Sequence, residues 1–438
     1  MTTTSRPAHA IAWRNAVFAV FALNGLGAAT WAIRIPSIRD QLELPVSWVG
    51  YLILGVSVGS IIGLVLASHV LQWLGGRRSI AIMLVLCAFA LLVIGLGTSA
   101  VGSFALVVVG MGIYGFGSAI CDVAMNVEGA AVEKVIGKTI MPLLHASWSA
   151  GMVIGTSVGT LLVFQHVPVG VHALGMAVLL VLGAFIAPRA IPRVATHADT
   201  GEEVAHVSFR DRMSIWLEPR TLAIGLIALG MAFTEGSAND WLALGMVDDR
   251  GLENGQGAAL FTVFTAAMMI GRIAGGPLID RFGRVPVLWA TGASAAVGLA
   301  LVIFVPIIPI AVVGIVLWGL GASLGFPVAM SAAADDPVRA GARVSAVATV
   351  GYCAFLVGPP LIGLVGEHVG ILNALIIVFV LIVMATLAAP AARPPRGAQP
   401  ADAGTAGAGA DAGAGAGATT DGPARGAASE SSASESMS

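Results

Sequence analysis

The chain has 438 residues, of which 57% are hydrophobic and 11% charged, with a mean hydropathy of +0.91 and a net charge of -2. Soluble globular chains carry about 25% charged residues, so an ordinary soluble enzyme is excluded, and the few scattered charges give no nucleic-acid footprint. The composition is that of an integral membrane protein.

A bilayer core of roughly 30 Å is crossed by about 20 apolar residues in a helix. Twelve such runs follow one another, at 13–33, 47–73, 79–97, 102–128, 141–164, 169–188, 221–246, 256–275, 285–306, 309–331, 343–365 and 369–389. The first is too long for a cleaved signal peptide and lacks a processing site, so it is kept as a helix. The runs lack the alternation of a membrane barrel, and open sheets cannot span lipid. The predicted fold is therefore all-α, with about twelve transmembrane helices.

The longest internal polar stretch, 189–220, separates two sets of six runs. The expected organisation is a cytoplasmic N-terminus at 1–12, a six-helix bundle at 13–188, a cytoplasmic linker at 189–220, a second bundle at 221–389 and a tail at 390–438. The tail is Ala, Gly, Ser and Pro with scattered acids and is expected to be disordered. With this arrangement nineteen of the 22 basic residues, Arg77, Arg78, Arg272, Arg281 and Arg284 among them, face one side; Arg34, Arg39 and Arg250 face the other. The positive-inside rule then puts both termini in the cytoplasm. Basic residues are Arg at all positions but Lys134 and Lys138, a usage in keeping with a high-GC bacterium.

The two sets of helices read as duplicates. Gly63 and Gly75 correspond to Gly271 and Gly283 at one offset, Tyr114 to Gly117 correspond to Trp318 to Gly321, and Trp31-Ala32 corresponds to Trp241-Leu242. Parallel six-helix repeats are a transporter architecture.

Acids inside the helices carry the functional signal, because an ionised side chain at a helix centre costs roughly 2.5–3.5 kcal/mol to insert. In the fourth run Asp122 and Asn126 lie four apart on one face, with Ser118 and Glu133 on the same stripe. Glu128 and Glu133 are expected at the cytoplasmic boundary, in contact with water. In the fifth run His145 is followed by Trp148, and a turn near Val135 would bring His145 to the depth of Asp122, permitting an acid–imidazole pair. Gly151, Gly155 and Gly159 recur every fourth residue, a packing stripe. The seventh run repeats the polar chemistry with Glu235 and Asn239, followed by Asp240-Trp241; Asp240 and the tryptophans Trp31, Trp148 and Trp241 serve either a cavity or an interfacial belt.

The eighth run ends in Gly276-Pro277-Leu278-Ile279-Asp280-Arg281-Phe282-Gly283-Arg284, which resembles the G-x-x-x-D-R-x-G-R loop of the major facilitator superfamily. The resemblance implies a gating clasp formed by Asp280, Arg281, Gly283 and Arg284. The first copy of this loop, Ser68 to Arg78, keeps its turn and the basic Arg77 and Arg78 but lacks the acid. Asp122 to Asn126 followed by Leu144 to Gly151 resembles helices 4 and 5 of fucose-proton symporter-like members. Trp31-Ala32-Ile33-Arg34-Ile35-Pro36 and Glu235 to Trp241 resemble a subfamily that includes a rhizopine-cluster membrane protein. Where the fucose symporter has an acid on helix 1, this chain has Ala28-Ala29.

The resemblance implies a secondary active transporter of a bacterial cytoplasmic membrane, moving a small polar solute such as a sugar or sugar-like compound by alternating access. Proton coupling is assigned to Asp122 and Glu235, and substrate binding to Asn126, His145, Trp148, Asn239 and Asp240. The alternative is proton-driven export of drugs or metabolites. Against it, Thr156 replaces the proline of the drug-antiporter signature, and Met111 stands where that class carries an Arg. An intramembrane enzyme would need a metal or nucleophile constellation, and no HExxH or Cys/His cluster occurs. No cofactor, metal or nucleic-acid partner is expected, and the protein is expected to be a monomer whose partners are the solute, protons and the lipid bilayer.

Overall fold

The computed structural model describes residues 5–137, 140–192, 215–335 and 340–394; most of the expected linker and nearly all of the expected tail lie outside the described residues. Within them the chain forms α1 (Ser5–Ala32), α2 (Ile35–Gln41), α3 (Val46–Leu96), α4 (Phe104–Ile136), α5 (Met141–Phe164) and α6 (Val169–Ile186) in the first half. The second half contains α7 (Pro219–Ser237), α8 (Ala243–Asp248), α9 (Asn254–Phe282), α10 (Arg284–Phe304), α11 (Ile308–Ala322) and α12 (Gly325–Ala333). It ends with α13 (Ala340–Val369), α14 (Ile371–Ala374) and α15 (Ile376–Leu387), and a 3-10 turn, Ala389–Ala392, closes the described chain.

Ten of the helical segments are long and apolar enough to cross a membrane. One of them contains α3, whose 51 residues would extend about 75 Å, more than twice the bilayer core. Gly75 resolves the excess: its φ of 72° and ψ of 159° lie where L side chains are strained, and the chain doubles back there into two spans. Gly283, with φ 80° and ψ 165°, makes the same reversal between α9 and α10. With the doubled span and the short apolar helix Ile371–Leu387, the described residues form twelve membrane helices in two six-helix repeats.

Lipid supplies no hydrophobic force between helices, so their backbones approach over small residues. Gly151 and Gly155 lie against Ala22 and Ala29 of α1, and Gly159 against Ile33 just beyond it, where any Cβ would collide, so the predicted stripe is a packing seam. Gly59 of α3 meets Gly112 of α4 in the same way, and Gly115 meets Val56.

Two seams join the halves. Across α3 and α13, the Ser57 hydroxyl donates to Phe355 O, and Gly50 abuts the Pro359 carbonyl. Across α5 and α9, Thr156 faces Thr265 with 3.3 Å between hydroxyl oxygens, and Thr160 faces Thr262 at 3.0 Å. One end of the molecule is tied further: Arg39 pairs with Asp248, Asn254 Nδ2 donates to Asp40 Oδ2 at 2.6 Å, and Ser47 N donates to Glu367 Oε2 at 2.8 Å. At the opposite end the bonds described for Arg77, Arg220 and Arg284 each stay within one half. Asp122 on α4 and Tyr352 on α13, on opposite halves, are exposed. Their exposure marks a cavity between the halves, which described bonds hold together at the Arg39 end; among the described residues no bond between the halves is made at the Arg77 and Arg284 end.

Candidate functional site

The cavity wall from the first half is α4. Asn126 Nδ2 donates to Asp122 O at 2.8 Å and approaches Asp122 Oδ1 at 3.4 Å, so helix spacing alone couples the amide to the carboxyl. Asp122 is exposed to the cavity, and Tyr352 of the other half lies within its electrostatic reach. Ser118, one turn along, donates to Asn24 Oδ1 at 3.2 Å. Glu133 is structural: its Oε2 accepts Ile140 N at 2.7 Å and Met141 N at 2.8 Å, capping the start of α5.

The acid–imidazole pair is not made. The helix α4 runs to Ile136 and α5 begins at Met141, so Asp122 lies 14 residues from the turn and His145 only 4, a difference in depth of roughly 15 Å at 1.5 Å per residue. His145 instead sets its ring edgewise on Phe21, with centroids 5.3 Å apart, within electrostatic reach of Arg272.

Arg272 is the main correction. Counted by sequence among residues facing the cytoplasm, it lies well inside α9, where its Nη2 donates to both Glu235 oxygens at 2.9 and 3.0 Å. Its guanidinium also lies over the Trp148 ring, 5.9 Å from the centroid, and Nη1 reaches Ser149 Oγ at 3.5 Å. Glu235, Arg272 and Trp148 therefore form one chain of contacts from α7 through α9 to α5, joining the halves beside the cavity. A charge within the apolar run 256–275 was itself the overlooked signal.

Asn239, Asp240 and Trp241 sit on a π-helical turn, Ala238–Leu242, that continues α7. Trp241 is fully buried against Gly363, which rules out an interfacial belt for it; Asp240 is buried, and the Asn239 Oδ1 and Trp241 Nε1 atoms have no partner among the described residues. Single π turns inside α-helices recur at functional sites.

At the open end, Arg284 Nη1 donates to Asp335 Oδ1 at 2.7 Å and its Nη2 to Ser331 Oγ at 3.0 Å, while Arg220 Nη2 donates to Asp335 Oδ2 at 2.8 Å. Arg281 lies over the Phe282 ring, and Asp280 and Arg78 are exposed. The first half has a different solution at the matching place. Gly76 stands at the repeat position of Arg284 and its Cα abuts the Glu128 carboxyl, which accepts Trp13 Nε1 at 3.1 Å. Glu128 is buried, not solvated as its place in the sequence implied.

Two Gly-x-Ser-x-Gly runs, Gly55 to Gly59 and Gly155 to Gly159, lie inside α3 and α5. A nucleophile elbow needs a strand-to-helix turn, and Ser157 simply donates back to Val153 O of its own helix.

Two six-helix repeats around a polar cavity closed at one end are the architecture of a secondary transporter. The chain matches the family model of the Major Facilitator Superfamily over residues 17–335 and 241–412, and it belongs to that superfamily. It is 31% identical over 356 residues to the uncharacterized transporter y4wD of Sinorhizobium fredii, covering 81% of this chain and 91% of that protein. It is 27% identical over 366 residues to the membrane protein MosC of Rhizobium meliloti, covering 83% and 86%. Among solved structures it is similar to a mutant form of the nucleoside transporter NupG, with a TM-score of 0.69 at 15% identity, covering 88% of this chain and 99% of that one. A mutant form of the E. coli fucose:proton symporter FucP superimposes with a TM-score of 0.60 at 17% identity, covering 87% and 98%. The protein is a major facilitator transporter, not an enzyme.

Proposed function

We propose that this transporter moves a small polar solute, a sugar or sugar-like compound, together with protons across the cytoplasmic membrane of a bacterium. The observation that carries this reading is the exposed Asp122–Asn126 pair on the cavity wall, with Arg272, Glu235 and Trp148 beside the cavity. A carboxyl and an amide four residues apart offer acceptors and donors for hydroxyl groups, and an acid open to a cavity can take up and release a proton. Trp148, Asn239 and Asp240 supply further binding groups. The names of the fold neighbours, a nucleoside transporter and a fucose:proton symporter, support a hydroxyl-rich solute.

With both termini cytoplasmic, as the distribution of basic residues favours, the open Arg77 and Arg284 end faces the cytoplasm and the described conformation faces inward. Cysteines introduced near Arg189 and Arg393 are then labelled only from the cytoplasmic side. The solute is tested by thermal-shift screening of the purified protein against sugars, polyols, nucleosides and opine-like compounds, since a ligand of the native state raises apparent stability. A saturable rise with one of these supports the reading. Rises confined to lipophilic cations overturn it in favour of export.

A further inference from the structure

The segment Trp31 to Pro36 does more than end the first membrane helix. Trp31 lies in the last turn of α1, and Arg34 lies three residues on, in the turn that leads into α2. Arg34 is 3% exposed and His172 of α6 5% exposed, yet neither meets a carboxylate among the described residues. Arg34 Nε donates to His172 Nδ1 at 3.1 Å, and Nη1 donates to Val167 O at 2.9 Å.

That first bond fixes the histidine tautomer. A guanidinium has donors only, so Nδ1 is an acceptor and the ring proton sits on Nε2. Three N–H groups are then left without acceptors among the described residues: Trp31 Nε1, Arg34 Nη2 and His172 Nε2. All three residues line one small cavity of about 10 Å³. Thr30 also lines it, but its hydroxyl hydrogen goes to Leu26 O, and the rest of the lining is apolar, including Ile38, Ile94 and Val169.

A buried guanidinium without a counter-charge is strongly disfavoured, and so is a buried donor without an acceptor. A cavity of this size holds one monatomic or water-sized occupant. We propose that the cavity between Trp31, Arg34 and His172 is a binding site for a single halide anion, of which chloride is the natural member. The anion supplies the missing negative charge and accepts from three donors on α1, the turn after it, and α6. Larger anions such as sulfate and carboxylates do not fit.

The site has a structural consequence at the closed end. Arg34 occupies the turn into α2, and α2 carries Arg39 and Asp40, which bond to Asp248 and Asn254 of the other half. An anion that fixes this turn also positions the residues that hold the halves together. The site is far from any role assigned to Asp122, so it stands or falls independently of the transported solute.

The test uses the purified full-length protein in methanesulfonate buffer, with chloride introduced at constant ionic strength and unfolding followed by heating. The expected result is a saturable rise in Tm with chloride that sulfate does not reproduce. Trp31→Phe keeps the ring but removes one donor, and it should need roughly tenfold more chloride for the same rise. Arg34→Met should lose the response. No chloride-specific rise in the natural protein overturns the proposal and leaves the cavity to a water molecule. An identical chloride response in Trp31→Phe overturns it too, by placing the anion elsewhere; this comparison decides the matter even if Arg34→Met does not fold.

Discussion

Glu235 and Arg272 are 37 residues apart in sequence and share one guanidinium nitrogen between both carboxylate oxygens. Each is partly shielded, with 16% and 24% of its side chain exposed, so removing one partner leaves a poorly solvated charge behind. Arg272→Met should lower stability by roughly 1–3 kcal/mol, less than a fully buried pair would lose. The double variant Glu235→Gln/Arg272→Gln should lose less than the sum of its singles, since the coupling is counted once. Thermal melts in detergent read both quantities, and strictly additive losses would show that the two side chains do not act together.

Asp122→Asn mimics the protonated acid but cannot release the proton. If Asp122 carries the coupled proton, the variant should retain solute binding and counterflow exchange while losing accumulation against a gradient, because coupling requires different affinities in the two protonation states. Uptake and counterflow in the same vesicles, with and without an imposed proton gradient, make the comparison. Full gradient-driven accumulation would assign Asp122 to packing or to solute hydrogen bonding.

The Thr160 and Thr262 side chains meet across the halves with 3.0 Å between their hydroxyl oxygens, which makes them the pair to replace by a cross-link. In a protein otherwise free of cysteine, Thr160→Cys/Thr262→Cys should form a disulfide under mild oxidation, stop transport and recover on reduction. Gel mobility after cleavage between the halves reports the bond. Transport that continues with the bond formed would mean that this seam does not part during the cycle.

Asp335 accepts from both Arg284 and Arg220, whereas Asp280 of the recognisable loop is exposed. Asp335→Asn should therefore shift the balance of open and closed states more than Asp280→Asn, by releasing two arginines at once. Accessibility of single cysteines at the two ends measures the shift. A larger effect from Asp280→Asn would return the gating role to the loop acid.

Much of the architecture was legible because membrane helices must be apolar for their whole length and because Gly75 and Gly283 mark chain reversals that other residues resist. Asp122 and Asn126 were legible together since a helix brings i and i+4 onto one face. Arg272 was misread because a charge near the end of an apolar run looks like a topology signal until the helix is known to continue to Phe282. Its partner Glu235 lies on another helix, and no local periodicity reports such a contact. The depth of His145 is not legible because hydropathy does not fix where a helix ends: α4 continues to Ile136 and α5 begins only at Met141, later than a turn near Val135 implies. Glu128 reads from sequence as a wetted boundary residue because its shielding depends on Trp13 and Gly76, both remote in sequence.

The threonines between α5 and α9 bear on how reversibly the halves can separate. Thr156 also lies 3.1 Å from Val153 O, Thr262 3.1 Å from Ala258 O, and Thr265 2.9 Å from Thr262 O, all carbonyls of their own helices. A hydroxyl has one hydrogen, so these groups already have somewhere to donate when their opposite number withdraws. Thr160 can turn to the carbonyl one helical turn behind it. The seam thus behaves as a zip of rotatable hydroxyls: drawing it apart leaves no hydroxyl without an acceptor, and drawing it together needs only small torsional turns.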